Sequence, residues 1–161
     1  MNKLYFGYTT GTHGLKGELK CFSDFERKDL VLKNNQPVYI KDKVHYITSV
    51  RKHKNCYLIC FDNLNDINLV EEFRNQQIYV LRSDLDLLEN EFLFSDLIGF
   101  SIYNNLEMVG KIKEVRYNKY SVLLSVIGEK KFLVPYNDFF IKEVNIKEQK
   151  IIGDNLEGLM L

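Results

Sequence analysis

Tyr120-Ser121-Val122-Leu123-Leu124-Ser125-Val126-Ile127 sets Tyr120, Val122, Leu124 and Val126 on one side of an extended chain, with Ser121 and Ser125 on the other. Alternation at period two marks a half-buried strand and predicts one over 120–127. The composition agrees. Alanine is absent, proline occurs only at Pro37 and Pro135, and β-branched and aromatic residues abound, so most helix-favouring side chains are missing. The expected fold class is all-β.

Downstream and upstream of that run, further short strands are predicted over 99–103, 108–117, 131–134, 143–147 and 150–153, with Gly110 marking a bulge or bend. Toward the N-terminus they fall at 3–9, 17–22, 37–40, 44–50 and 55–61, a density that points to a small barrel. One helix is predicted, over 65–74, with Asn65 as N-cap, Asp66 at the positive end of the dipole and Leu69 packed on Phe73. It should lie across one barrel end, and 77–81 should return as the last strand. Between Ser83 and Glu91 stand Asp84, Asp86, Glu89 and Glu91 without a basic residue, an acidic linker with one helical turn at Leu85 to Leu88. The expected organisation is therefore a first β domain over 1–82, a linker over 83–91 and a second, different β domain over 92–161.

The 161 residues are 45% hydrophobic, enough to pack cores, which excludes a disordered chain. No run approaches the roughly 20 apolar residues that span a bilayer. The opening Asn2-Lys3-Leu4-Tyr5-Phe6-Gly7 lacks the apolar segment of a secretory signal, so a cytoplasmic location and no membrane partner are expected. Cys21, Cys56 and Cys60 are odd in number and form no disulfide framework; they are read as buried, inert thiols. His45 and His53 have no ligand spacing with them, so no metal and no cofactor is expected. Lys and Arg total 22 against 22 Asp and Glu, but the neutrality hides a gradient. Through position 60, 11 cations face 5 anions, so the front carries +6 and the remainder −6. The front half is suited to an anionic partner.

Gly11-Thr12-His13-Gly14-Leu15-Lys16-Gly17-Glu18-Leu19-Lys20 places three glycines around a His and a Lys between two strands. It lacks the Gly-Lys-Ser/Thr ending and following helix of a phosphate loop, and its GxxG joins strands where the KH domain's joins helices. A glycine-shaped barrel connection held by hydrogen bonds from His13 is the simpler account. His13 with Glu18 as general acid and base is the enzymatic alternative, an RNA-processing activity. Arg51-Lys52-His53-Lys54 crowds one hairpin tip with groups that suit phosphate contact or simple solvation. Phe92-Leu93-Phe94 seeds the second core, pins the two domains together or forms a protein-binding patch. The apolar tail from Leu156 to Leu161 should dock on the second domain.

Taken together, several segments resemble the RimM family of ribosome maturation factors: Gly7 with Gly11 to Lys20, Asn68-Leu69-Val70-Glu71-Glu72-Phe73 before Ile78-Tyr79-Val80, and Asp96-Leu97-Ile98-Gly99 followed by Gly110-Lys111-Ile112. Val134-Pro135, Ile141-Lys142-Glu143-Val144-Asn145 and Gly158-Leu159 complete the pattern. The resemblance implies a six-stranded barrel like those of translation factors followed by a PRC barrel. It also implies a non-catalytic protein that binds the precursor 30S subunit, engages its head protein uS19 and assists 16S rRNA folding and processing; a monomer is expected. Where the family carries Ala-Glu, this chain has Val70-Glu71. Where it carries a Tyr-Tyr pair, this chain has Phe92 and Leu93, followed by Phe94, and the resemblance makes these three the partner-binding residues. His13, Lys16, Arg51, Lys52 and Lys54 are the expected rRNA-facing set, chosen on charge and glycine shape.

Overall fold

The computed structural model describes residues 3–118 and 120–161 and divides into two compact units, 1–88 and 89–161. Met1, Asn2 and Lys119 lie outside the described residues.

The first unit is a closed barrel of β1 (Lys3–His13), β2 (Glu18–Phe22), β3 (Gln36–Ile40), β4 (Lys43–His53), β5 (Cys56–Phe61) and β6 (Gln77–Leu81), in the order β1-β2-β5-β4-β3-β6. Closure removes the exposed strand edges that a small open sheet would present. Alternation turns Leu19, Val38, Ile47, Ile59, Phe61, Ile78 and Val80 out of water. β1 runs on past the expected end at Thr9 to His13, a register shift between Thr9 and Thr12 taking up one extra residue before Thr12 and His13 pair with Leu19 and Glu18. Gly7 has to be glycine for space, since a Cβ there would collide with the Phe22 carbonyl of the neighbouring strand.

The helix expected over 65–74 does not form. Two 3₁₀ turns, Ile67–Leu69 and Glu71–Phe73, take its place, and the N-cap is Asp66, whose side chain accepts from the Asn68 N–H at 2.8 Å. Val70 and Phe73 are buried while Leu69 is 54% exposed, so the i, i+4 pair is replaced by an i, i+3 pair that suits the tighter turn. The helical turn expected at 85–88 is likewise replaced by a 3₁₀ turn at Arg82–Asp84. Leu85 is buried, Gln36 donates to the Asp84 carbonyl and Lys33 pairs with Asp86 at 2.6 Å, so the first part of the acidic stretch is fastened to the barrel.

The second unit holds β7 (Ser101–Asn104), β8 (Glu107–Tyr117), β9 (Val122–Ile127), β10 (Lys131–Pro135), β11 (Ile141–Asn145) and β12 (Lys150–Gly153) in one six-stranded sheet, ordered β10-β9-β8-β7-β12-β11. Among the described residues only β12 and β7 pair in parallel. Leu124 and Val126 of β9 join Ile102, Ile112, Val134, Ile151 and Leu156 in its core. The alternation of the 120s is correct from Val122 onward, but Tyr120 is 87% exposed. Tyr120 and Ser121 sit in a turn whose N–H groups are accepted by the Asn118 side chain. A register shift beside Gly110 supplies the expected bulge. In the tail, Leu156 is buried and Leu159 and Met160 pack against the same core.

Candidate functional site

The tips of hairpins β1–β2 and β4–β5 come together on the barrel. In the first, His13 stands opposite Glu18 in the ladder. The turn between them needs positive φ at Gly14 and Gly17, and a Cβ at Gly17 would strike the Leu64 carbonyl. Main-chain contacts hold this turn: Ile67 N–H donates to Leu15 O at 2.9 Å and the Cys60 thiol donates to Lys16 O at 3.8 Å. In the second hairpin His53 pairs with Cys56, Lys52 with Tyr57 and Arg51 with Leu58.

Two contacts join the tips. The His13 and His53 rings lie 4.6 Å apart, and Arg51 donates from Nε and Nη2 to the two carboxylate oxygens of Glu18 at 2.7 and 2.9 Å. Those bonds hold the Glu18 carboxyl below the usual range, against the opposing effect of its partial burial. The His53 imidazole is also held below its ordinary value, first by desolvation and then by the surrounding His13, Lys54, Arg51 and Lys20. Lys20 and Arg51 flank Leu58 in register from the two neighbouring strands, with Leu58 itself fully buried between these long side chains. Lys16 and Lys54 are exposed at the two tips, and the Lys52 ammonium sits 4.5 Å over the Tyr57 ring.

The structure thus brings His13, Lys16, Arg51, Lys52 and Lys54 to adjoining tips of one barrel and sets His53 and Lys20 beside them. It gives Glu18 to Arg51, with both carboxylate oxygens engaged. His45, at the far end of β4, bonds Asp62 through Nδ1 at 2.6 Å and stacks edgewise on Phe73, a packing role. Among the described residues no cluster of three metal-ligating side chains occurs. Cys21 and Cys56 are buried, and burial pushes the Cys21 thiol up to about 12.

On the second unit, Phe94–Leu97 is a 3₁₀ turn, closed by Leu93 N–H to Asp96 Oδ2 and Asp96 N–H to Leu93 O, each 2.9 Å. Leu93 is fully buried, which removes its side chain from any exposed patch. Phe92 and Phe94 are half-buried against the core, and Phe94 meets Tyr136 edge-on at 5.0 Å and Tyr117 at 6.4 Å.

The described residues thus form two different β modules, the first with a basic, imidazole-bearing edge. Residues 4–85 match the model of the RimM N-terminal domain and residues 94–159 that of the RimM PRC barrel domain. The chain belongs to the RimM family of ribosome maturation factors. The proteins named ribosome maturation factor RimM from Staphylococcus aureus strains JH9 and Newman are each 31% identical over 161 residues, covering 96% of both chains. Among solved structures, a 16S ribosomal RNA processing protein RimM of Pseudomonas aeruginosa is similar at 16% identity, covering 95% of this chain and 97% of that one with a TM-score of 0.47. The N-terminal domain of RimM from Thermus thermophilus is similar at 20% identity, covering 55% of this chain and all of that one, also with a TM-score of 0.47. Among the described residues no helix is long and apolar enough to cross a membrane.

Proposed function

We propose that this chain is a non-catalytic assembly factor, a cytoplasmic monomer that binds the precursor 30S subunit, engages the head protein uS19 and helps 16S rRNA reach its folded and processed form. The observation that carries this reading is the match of both modules, end to end, to one family of ribosome maturation factors. The paired hairpin tips support it physically: His13, Lys16, Arg51, Lys52 and Lys54 gather cations where a phosphate backbone can meet them. Binding that favours one rRNA conformer shifts the folding equilibrium by its differential affinity, and no bond needs to be made or broken. Catalysis by His13 and Glu18 finds no support in the geometry, because Arg51 occupies the carboxylate. On the second unit Phe92 and Phe94 supply the apolar contact for a protein partner and Leu93 anchors the segment that carries them. The proposed functional division is a first module over 1–82 and a second over 92–161, with 83–91 connecting them and its first part, through Leu85 and Asp86, held on the barrel.

Cosedimentation with precursor 30S subunits tests the proposal. The wild-type chain should travel with the particles, and replacing Arg51, Lys52 and Lys54 by Gln should weaken binding and flatten its salt dependence. A chain that stays at the top of the gradient refutes it.

A further inference from the structure

Three phenol rings form a row across the outer face of the barrel. The ladders pair Tyr5 with Tyr79 and Tyr79 with Tyr39, and ladder partners project to the same side of a sheet. Tyr5 and Tyr79 meet edge-on at 5.5 Å, and the Lys3 ammonium lies 4.8 Å over the Tyr39 ring. Tyr8 joins this surface through the register shift between Tyr5 and Gly7. Regular alternation would send residues three apart to opposite faces, and the bulge turns both outward. Tyr8 in turn pairs with Phe22 and stacks on it at 5.5 Å with 18° between the planes. Tyr5 is 49% exposed and Tyr8 45%.

We propose that this strip, Phe22–Tyr8 continuing to Tyr5–Tyr79–Tyr39, is a stacking platform for unpaired bases of single-stranded RNA. Cations stand at both ends: Lys20 shares the outward face of β2 with Phe22 and borders the Arg51 edge, while Lys41 lies beyond Tyr39. Asp42, the acid at that end, is neutralised by Lys3 at 2.7 Å. Beside Tyr39 and Tyr79 runs a groove of about 480 Å³ lined also by Asn75, Gln76 and Gln77. Gln76 Nε2 donates to Arg74 O and Gln77 Oε1 accepts from the Tyr79 hydroxyl, so it is the remaining amide atoms that can meet base edges. Rings for base faces, amides for base edges and flanking cations for phosphates are the parts that single-strand binding combines. The inference rests on the rRNA-binding reading above and adds a second RNA contact to the hairpin tips.

The chain has no tryptophan, so tyrosine emission is directly readable. The full-length protein is titrated with an oligouridylate of about eight nucleotides, within the usual site size for a small barrel. Wild-type emission should be quenched. Tyr5→Ala with Tyr8→Ala should weaken binding about tenfold, while Tyr5→Phe with Tyr8→Phe keeps the affinity and loses part of the quenching. The salt slope should not change in either, since no cation is removed. An alanine variant that melts like wild type and binds oligouridylate equally well overturns the platform. If that variant does not fold, the phenylalanine variant decides, and undiminished quenching overturns it. Unchanged oligouridylate binding with lost binding to purified uS19 overturns it in favour of a protein surface. In each of these cases cosedimentation with precursor subunits persists, whereas failure of the underlying reading abolishes it.

Discussion

Arg51 grips Glu18 with two nitrogens, at 2.7 and 2.9 Å, across the intervening strand β5. The bidentate pair ties β4 to β2 and restrains a cation that would otherwise be free for phosphate. Glu18→Gln should release it: affinity for precursor rRNA rises, and the salt slope steepens by up to about one counterion. The same change should flatten the acid limb of the thermal stability curve. A depressed carboxyl stabilises the fold above its unfolded value, near pH 4, and that contribution is lost as pH falls through the lower, folded value. RNA titrations at several salt concentrations and melts across the acid range check both effects.

His53 gives a slope of the same sign in a higher pH window. Its folded imidazole is depressed, so the native state resists protonation and stability falls as pH drops through the ordinary imidazole range, near 6.5. A bound phosphate reverses that preference, because an anion beside His13, His53, Lys20, Arg51 and Lys54 favours the charged ring. RNA affinity of the wild-type chain should therefore rise between about pH 7.5 and 5.5 more steeply than that of His53→Gln, compared at equal ionic strength. Identical pH profiles would remove His53 from the interface.

Gly17 and Gly14 both adopt positive φ in the same turn, yet they should not tolerate alanine equally. At Gly14 nothing lies within 4 Å of an added Cβ, and the cost is about 1–2 kcal/mol of backbone strain. At Gly17 the Cβ meets the Leu64 main chain as well, and the loss should reach roughly 3 kcal/mol or more. Denaturant melts of the two variants should separate clearly, with Gly17→Ala the weaker.

Leu93 and Phe92 are neighbours with different jobs. Truncating the fully buried Leu93 to alanine should cost about 2–5 kcal/mol of stability. Phe92→Ala should melt closer to wild type and lose binding to uS19 instead. A Phe92→Ala chain that keeps full partner affinity would assign Phe92 to internal packing alone.

The strand Val122 to Ile127 was legible because it writes its burial at period two, whereas Cys56 to Phe61 was legible as an apolar run between turns and buries the adjacent Leu58 and Ile59 alike. Turn chemistry was less so. Leu69 and Phe73 carry helical spacing, but the segment breaks at Val70 into two 3₁₀ turns that no periodicity marks. The glycines of 11–17 suggested a loop, whereas β1 passes through Gly11 and bends at a register shift. The charge of the hairpin tips was visible; the meeting of His13 with His53 was not, since it depends on strand order. The aromatic strip was hidden twice, once because its rings belong to four strands, and once because a bulge puts Tyr5 and Tyr8 on a common face.

A density map of this chain on an assembling small subunit tests the central claim most directly. The β1–β2 and β4–β5 tips should lie against the rRNA backbone and the Phe92–Phe94 segment against a head protein. Particles bearing the chain through other faces, or no density for it at all, would contradict that claim.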